Sequence, residues 1–403
     1  MKDKRLTRTD PPDPTISHVV LSGIVALAVA MGVGRFAFTP LMPLMLRDGT
    51  LSAADGAVWA AANYAGYLLG ALTAVRVFTH PRRGVQWALF GVALTTLALA
   101  WSGDGLSAFT GGVLRAAAGV FSAWALVYTS SWCLAELGRR QAPQSGAWIY
   151  SGVGLGIALT GAFAWLGGQQ PAHWLWLELG LLALAGALFV GARLQGSGGL
   201  PLMPTPRAPS SPERVAGRGH MPLVLCYGIS GFGYIVPATF LPAMARQQVA
   251  DPLVFGLTWP LFGLAAAVSV VLAARRLSSW PRQRLWACAQ ATMALGTALT
   301  LVSQTLAALA VSAVLVGGTF MVITMAGLQL ARERMPLNPT PLLARLTVAF
   351  ALGQIAGPLL VRVLGPGSLA GWGAYAWANA TATVLLLFSA GFLWRDTDSS
   401  SSI

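Results

Sequence analysis

The sequence predicts an all-helical integral membrane protein, with twelve transmembrane helices arranged as two pseudo-symmetric six-helix halves. Three observations carry that prediction. Of 403 residues, 55% are apolar and only 10% are charged, against roughly 25% charged in an ordinary soluble domain. Apolar runs of the ~20 residues needed to cross lipid recur along the whole chain. Finally, the stretch Gly32-Val-Gly-Arg-Phe-Ala-Phe-Thr-Pro-Leu-Met-Pro-Leu-Met45 returns 199 residues later as Gly231-Phe-Gly-Tyr-Ile-Val-Pro-Ala-Thr-Phe-Leu-Pro-Ala-Met244.

The repeat aligns Gly32 with Gly231, Gly34 with Gly233 and Pro43 with Pro242, while Arg35 falls opposite Tyr234. The two copies share a backbone design and differ in chemistry. At the same offset Gly119 meets Gly318 and Gly154 meets Gly353, so the duplication extends over three pairs of helices. Parallel repeats are the natural reading.

Taken in order, residues 1–17 are polar, basic and proline-bearing, and read as a cytoplasmic tail. This tail and the apolar Val19–Ala30 imitate a secretory signal, but the run continues to Leu46 and an equivalent run recurs mid-chain. Spans are expected at 18–46, 54–77, 85–102, 106–133, 146–167 and 173–194. A second set is expected at 221–245, 253–274, 285–303, 306–330, 341–363 and 372–394. The Gly-, Ser-, Pro- and Arg-rich segment 195–220 cannot build an apolar core. It reads as a cytoplasmic linker between an N-terminal half (18–194) and a C-terminal half (221–394), with a short cytoplasmic tail at 395–403.

The net charge of +13 reports topology. Of 26 basic residues, 20 fall in the tails and alternate loops that also hold the linker, whereas Arg47 and Arg246 mark the opposite side. This asymmetry is the positive-inside rule and puts both termini in the cytoplasm. The partners expected are therefore the lipid bilayer and a small-molecule solute, with no nucleic acid. Cys133, Cys226 and Cys288 lie in apolar runs, and the four histidines are scattered at span ends. No disulfide framework, metal site or cofactor is expected, and the chain is expected to act as a monomer.

Several stretches taken together resemble one family. They are Gly34-Arg-Phe-Ala-Phe-Thr-Pro-Leu-Met-Pro43, Ala62-Asn-Tyr-Ala-Gly-Tyr-Leu-Leu-Gly70, Gly152-Val-Gly-Leu-Gly156 and Phe350-Ala-Leu-Gly-Gln-Ile-Ala-Gly-Pro358. The chain resembles the major facilitator superfamily and, within it, the YbfB/YjiJ-type bacterial transporters. That resemblance implies a secondary transporter of the inner membrane, with the first, fourth, seventh and tenth helices lining a central cavity. The superfamily's fourth-helix Arg-x-x-x-Gly pattern is present as Arg115-Ala-Ala-Ala-Gly119. In the loop after the second helix the usual carboxylate is missing, with no acidic residue between Gly70 and Arg83. The fifth helix also lacks the Gly-Pro of drug–proton antiporters, although its counterpart holds Gly357-Pro358.

Four arginines fall inside the expected spans: Arg35, Arg115, Arg345 and Arg362. The last two lie near span ends and can snorkel to the interface. Arg35 is about 15 Å from the end of its span at 1.5 Å per residue, and Arg115 is similarly deep. Each is expected to face a solute cavity, or else to bind backbone carbonyls that Gly34, Pro40 and Pro43 leave free. Of 13 acidic residues, Glu178 is the one expected inside a span, so no mid-membrane carboxylate is available as a proton relay. A cationic cavity suits an anionic or strongly hydrogen-bonding solute, and a proton can travel on the solute itself.

Asn63, Tyr64, Tyr150, Tyr234 and Gln354 would complete such a site beside Arg35 and Arg115. Tyr67 and Tyr128 are further polar candidates, with packing the bland alternative for any tyrosine. Tryptophans near span ends, such as Trp101, Trp174, Trp372 and Trp394, read as an interfacial belt. Gly32, Gly34, Gly119, Gly154, Gly231, Gly233, Gly353 and Gly357, with Pro43, Pro242 and Pro358, are expected at helix contacts and hinges.

The expected function is secondary transport of a small anionic or polar solute by alternating access. A multidrug or metabolite efflux permease and a non-transporting membrane sensor are the alternatives. An enzyme is not expected, because neither a cluster of carboxylates nor an activated nucleophile is present.

Overall fold

In the computed structural model, residues 15–78, 80–104, 107–194, 220–248, 256–277, 279–335, 340–365, 367 and 370–399 are described. The tail up to residue 14 and the linker at 195–219 lie outside them. The architecture is all-helical. Helix α1 (Ile16–Arg47) is followed by α2 (Ala53–Val77), α3 (Pro81–Ala98), α4 (Ala108–Arg139), α5 (Ser151–Leu166) and α6 (Ala172–Leu194). After the linker come α7 (Met221–Gln248), α8 (Thr258–Arg276), α9 (Arg282–Val302), α10 (Leu306–Arg334), α11 (Thr340–Leu364) and α12 (Ala374–Ser399). Short 3₁₀ segments extend α3 at Leu99–Asp104 and lead into α5 at Pro143–Tyr150.

Ten of these helices are long and apolar enough to cross a membrane. Outside that set are α2, whose apolar sequence is diluted by Asn63, Tyr64, Tyr67 and Arg76, and α8, whose apolar part Thr258–Ala273 is shorter. Hydroxyl side chains start three helices. Ser52, Ser107 and Thr305 accept the backbone N–H of Asp55, Thr110 and Ala308 at 3.1, 3.1 and 3.3 Å, capping donors that have no partner within the helix. Leucine, valine and phenylalanine side chains such as Leu94, Phe109, Leu188 and Phe388 stand exposed on the outer faces. Such a surface matches a hydrocarbon surround.

One expectation needs correction. Helix α4 runs on to Arg139, past the expected end at 133, so Glu136 is a helix residue and is only 3% exposed. Arg139 and Arg140, three and four residues on, bind its carboxylate at 2.6 and 2.7 Å. Pairs at this spacing share a helix face, and arginines suit a helix C-terminus, so the polar turn continues the helix. Glu136 thus lies in the last turn of α4, at the end of its span, whereas Glu178 lies within α6. Glu178 accepts a bond from Gln170 Nε2 at 3.3 Å.

Tryptophan also divides in a way its sequence positions did not show. Trp101, Trp174, Trp372 and Trp394 are exposed, whereas Trp59, Trp176, Trp259 and Trp286 are fully buried.

Two glycine contacts set the centre of the molecule. A Cβ on Gly32 would lie 2.4 Å from the backbone of Gly156, and one on Gly353 would lie 2.2 Å from the carbonyl of Gly228. Helices α1 and α5, and likewise α7 and α11, therefore meet backbone to backbone, as small residues permit. From Val29 to Met45 and from Ser230 to Ala245, every residue of α1 and α7 is buried. Toward their N-terminal ends both helices show exposed and half-buried positions.

Candidate functional site

Helix α1 abandons regular winding where its repeat begins. Ala28–Phe36 is wound as a π-helix, between α-helical Ile16–Leu27 and Phe38–Arg47. Such insertions cluster at functional sites. Just after this segment, Pro40 has no N–H to return to the carbonyls of Arg35 or Phe36, whichever the winding would pair with it. A buried carbonyl needs a donor. Arg115 on α4 supplies it, donating from Nη2 to the Arg35 carbonyl at 2.9 Å and from Nη1 to the Gly34 carbonyl at 3.2 Å. Asn63 on α2 completes the knot, with Nδ2 reaching the carbonyls of Arg115 at 2.9 Å and Gly34 at 3.3 Å. The Arg115 guanidinium also lies 5.0 Å from the Phe38 ring.

With its carbonyl held by Arg115, Arg35 turns its own side chain to the second copy of the repeat. The residue is 4% exposed. Nη2 donates to Gln354 Oε1 on α11 at 2.5 Å and to Tyr234 Oη on α7 at 3.3 Å. Gln354 Nε2 donates to the same Tyr234 hydroxyl at 2.6 Å, closing a three-residue ring of hydrogen bonds. Arg35 Nε is buried and has no partner among the described residues. Its guanidinium carbon sits 3.9 Å from the Tyr67 ring and 5.6 Å from the Tyr64 ring, within cation–π range. Tyr64 in turn bonds Thr239 of α7 at 3.0 Å.

The structure thus brings Arg35, Tyr64, Tyr234 and Gln354 together and gives Arg115 and Asn63 to the support of α1. The Tyr150 hydroxyl donates to Ser130 at 3.2 Å. Tyr128 bonds the Ala74 carbonyl and receives the Phe78 N–H. Arg362 is exposed and donates to the Ala54 carbonyl at 3.2 Å, linking α11 to the start of α2. The predicted glycines sit at contacts: Gly34 on Ser122, Gly119 on Asn63, Gly154 on Ala267, Gly231 on Phe350, Gly233 on Leu386 and Gly357 on Ile235. Pro43, Pro242 and Pro358 lie inside α1, α7 and α11.

Sequence reasoning missed a wall of rings beside this cluster. Tyr234 stacks between Phe320 of α10, at 5.1 Å and 10°, and Phe350 of α11, at 5.5 Å and 15°. Phe262 and Trp259 of α8 continue the series, at 5.5 Å from Phe320 and 4.8 Å from each other. Phenylalanine in an apolar run carries no mark of position, so only Phe350, four residues before Gln354, stood near a clue. No group of three or more metal-binding side chains is found among the described residues.

Residues 27–393 match the family described as the uncharacterised MFS-type transporter YbfB. The chain belongs to this family. Among solved structures it is similar to a POT family transporter, PepTSo, at a TM-score of 0.75 and 13% identity, over 97% of this chain and 99% of that one. A D-xylose–proton symporter gives 0.72 and 15%, over 94% and 98%. The human organic anion transporter MFSD10 gives 0.65 and 20%, over 94% and 100%. At these identities the likeness is one of fold. No curated protein is similar enough to match. The YbfB-type family therefore places the chain among multi-pass membrane transporters, and the solute has to be sought in the site.

Proposed function

We propose that the chain is a secondary transporter that moves a small organic anion or polar metabolite across the bacterial inner membrane by alternating access, with Arg35 its principal contact. One observation carries this reading. A buried guanidinium stands where the two repeats meet, held by the neutral groups Gln354 and Tyr234, with Nε unpartnered. A buried cation without an acid partner is costly, and an anionic solute would relieve that cost.

All twelve helices, α2 and α8 included, cross the membrane as two six-helix halves, 18–194 and 221–394, with both termini cytoplasmic. The Arg47 end of α1 then faces outside, and its continuous burial together with that of α7 supports an outer side that is closed. Opening requires the halves to part at Arg362–Ala54 and Tyr64–Thr239. The transporter acts as a monomer, and any proton it moves rides on the solute. Arg115 and Asn63 serve the site by fixing the backbone that carries Arg35.

Export of lipophilic cations is the second reading, since a wall of rings also suits a cation. The guanidinium beside that wall opposes it. A thermal-shift screen of the purified protein against organic anions, neutral sugars and lipophilic cations tests the choice. A ligand of the folded state at 100 times its dissociation constant adds about 2.7 kcal/mol. Stabilisation by anions, absent in Arg35→Ala, is expected. Stabilisation by lipophilic cations alone, unchanged in that variant, would overturn the proposal.

A further inference from the structure

The site holds one cation, one stand-in and one flat wall, and together they narrow the solute. We propose that it is a singly charged carboxylate with a planar aromatic body, and that Gln354 and the carboxylate compete for the same place at Arg35. This rests on the anion reading above.

The charge follows from counting available donors. Arg115 turns both terminal nitrogens to the carbonyls of Gly34 and Arg35, which ties it to the α1 backbone although its own Nε is also unpartnered. That leaves Arg35 as the cation turned to the second repeat. A second carboxylate on the solute would be buried with no second cation facing it, since the spare donor along the wall, Trp259 Nε1, is neutral, and burying an unpaired charge is costly.

The stand-in follows from the geometry at Nη2. Gln354 presents an amide oxygen to it at 2.5 Å, in the way one oxygen of a carboxylate would approach, while the adjacent Nε remains unpartnered. A carboxylate has two oxygens and matches the guanidinium fork that a single amide oxygen cannot fill. When the carboxylate arrives, the Gln354 side chain gives up Nη2 and keeps its bond to Tyr234 at 2.6 Å.

The body follows from the wall. Phe350, Tyr234, Phe320, Phe262 and Trp259 form a series in which each centroid lies 4.8–5.5 Å from the next and planes turn by no more than 27°. Flat rings extend such a series better than puckered ones, because offset stacking needs two planes. All five rings come from α7, α8, α10 and α11, whereas Arg35 comes from α1. Phe36, beside Arg35 on α1, meets the same wall edgewise at Phe320, 6.4 Å away, and tilted at Trp259, 6.3 Å away. An aromatic carboxylate would therefore touch the first repeat chiefly through its charge and the second through its ring. One small molecule would be read by both moving parts.

Isothermal calorimetry on the full chain in lipid nanodiscs tests this, with benzoate, cyclohexanecarboxylate, terephthalate and benzamide as probes. Benzoate is expected to bind saturably. The other three, which lack the flat ring, add a charge or lack one, are expected to bind at least about tenfold more weakly, a difference that calorimetry resolves. Gln354→Ala, which removes the competitor, is expected to tighten benzoate binding several-fold, and Gln354→Glu to abolish it without lowering the unfolding temperature. Equal binding of terephthalate or cyclohexanecarboxylate would overturn the inference. So would no benzoate binding up to roughly 10 mM, where only negligible affinity escapes detection, or weaker binding to a folded Gln354→Ala. Should either variant fail to fold, the four probes on the unaltered protein still decide. Binding of any organic anion that disappears in Arg35→Ala would leave the anion reading standing even if the aromatic selectivity fails.

Discussion

Arg35 and Tyr234 occupy the same position in two copies of a repeat 199 residues apart, and they touch, Nη2 donating to Oη at 3.3 Å. The repeat puts two residues of equivalent position on two helices, α1 and α7, whose side chains meet. One is a cation and the other its hydrogen-bonding, ring-bearing neighbour. The offset that reveals the repeat is thus also the sequence separation of the contact at its centre.

Arg115 and Arg35 are both buried arginines, yet they are expected to respond differently to loss. Arg115→Met leaves the Arg35 carbonyl without its donor, at about 1–3 kcal/mol for a buried unsatisfied group. Arg35→Met leaves the Gln354 amide oxygen without its donor, but a side-chain amide can turn to a new partner where a helix carbonyl cannot, and Gln354 and Tyr234 can stay bonded, so its cost to the fold is smaller. Thermal unfolding of the two variants should rank Arg115→Met well below Arg35→Met; the reverse order would contradict the division of labour.

Tyr234→Phe keeps the stacked ring and removes the hydroxyl that both Arg35 and Gln354 use. A loss of about 0.5–1.5 kcal/mol is expected, the net worth of an ordinary hydrogen bond. Tyr234→Ala also removes the stack, and the cost should rise to that of a large core truncation, about 3–5 kcal/mol. Comparable losses in the two variants would mean that the stack contributes little.

Gly119 and Gly318 are equivalent by sequence offset but not by contact. A Cβ on Gly119 would lie 2.1 Å from the Asn63 carbonyl, whereas one on Gly318 meets nothing closer than 3.9 Å. In the second half the tight approach falls on Gly317, 2.4 Å from the Phe262 carbonyl. Gly119→Ala is expected to cost about 1–3 kcal/mol through overpacking and to disturb Asn63, while Gly318→Ala should be close to neutral. Monodispersity and unfolding temperature of the two variants check this.

If Arg362 and Ala54 close the outer end, fastening α11 to α2 there should stop transport. Paired Arg362→Cys and Ala54→Cys, joined by a short thiol-reactive linker, are expected to abolish flux, with recovery when the linker is cleaved. Full flux through fully cross-linked protein would show that this contact does not open.

Much of this was legible beforehand, for physical reasons. Apolar runs of membrane length locate helices because lipid leaves the backbone no other way to satisfy itself. A buried arginine announces itself by its cost, which is why Arg35 and Arg115 stood out. Their roles could not be separated from sequence, because the deciding fact is which carbonyl Pro40 leaves open and which helix lies opposite. Gln354 was visible as an amide in a span, but its partner lies on another helix 120 residues away. The ring wall was invisible, since Phe320, Phe262 and Trp259 differ from lipid-facing aromatics only in direction. The Glu136 pairs with Arg139 and Arg140 were not visible either, because they depend on α4 continuing past 133.

Counterflow in sealed proteoliposomes tests the central claim most directly. Vesicles loaded with unlabelled organic anion, benzoate first, are diluted into a trace of the labelled anion, with the unaltered protein and Arg35→Ala run side by side. Transient accumulation in the first and none in a folded Arg35→Ala is the predicted result. Accumulation of equal size in both would contradict a transport site built on Arg35.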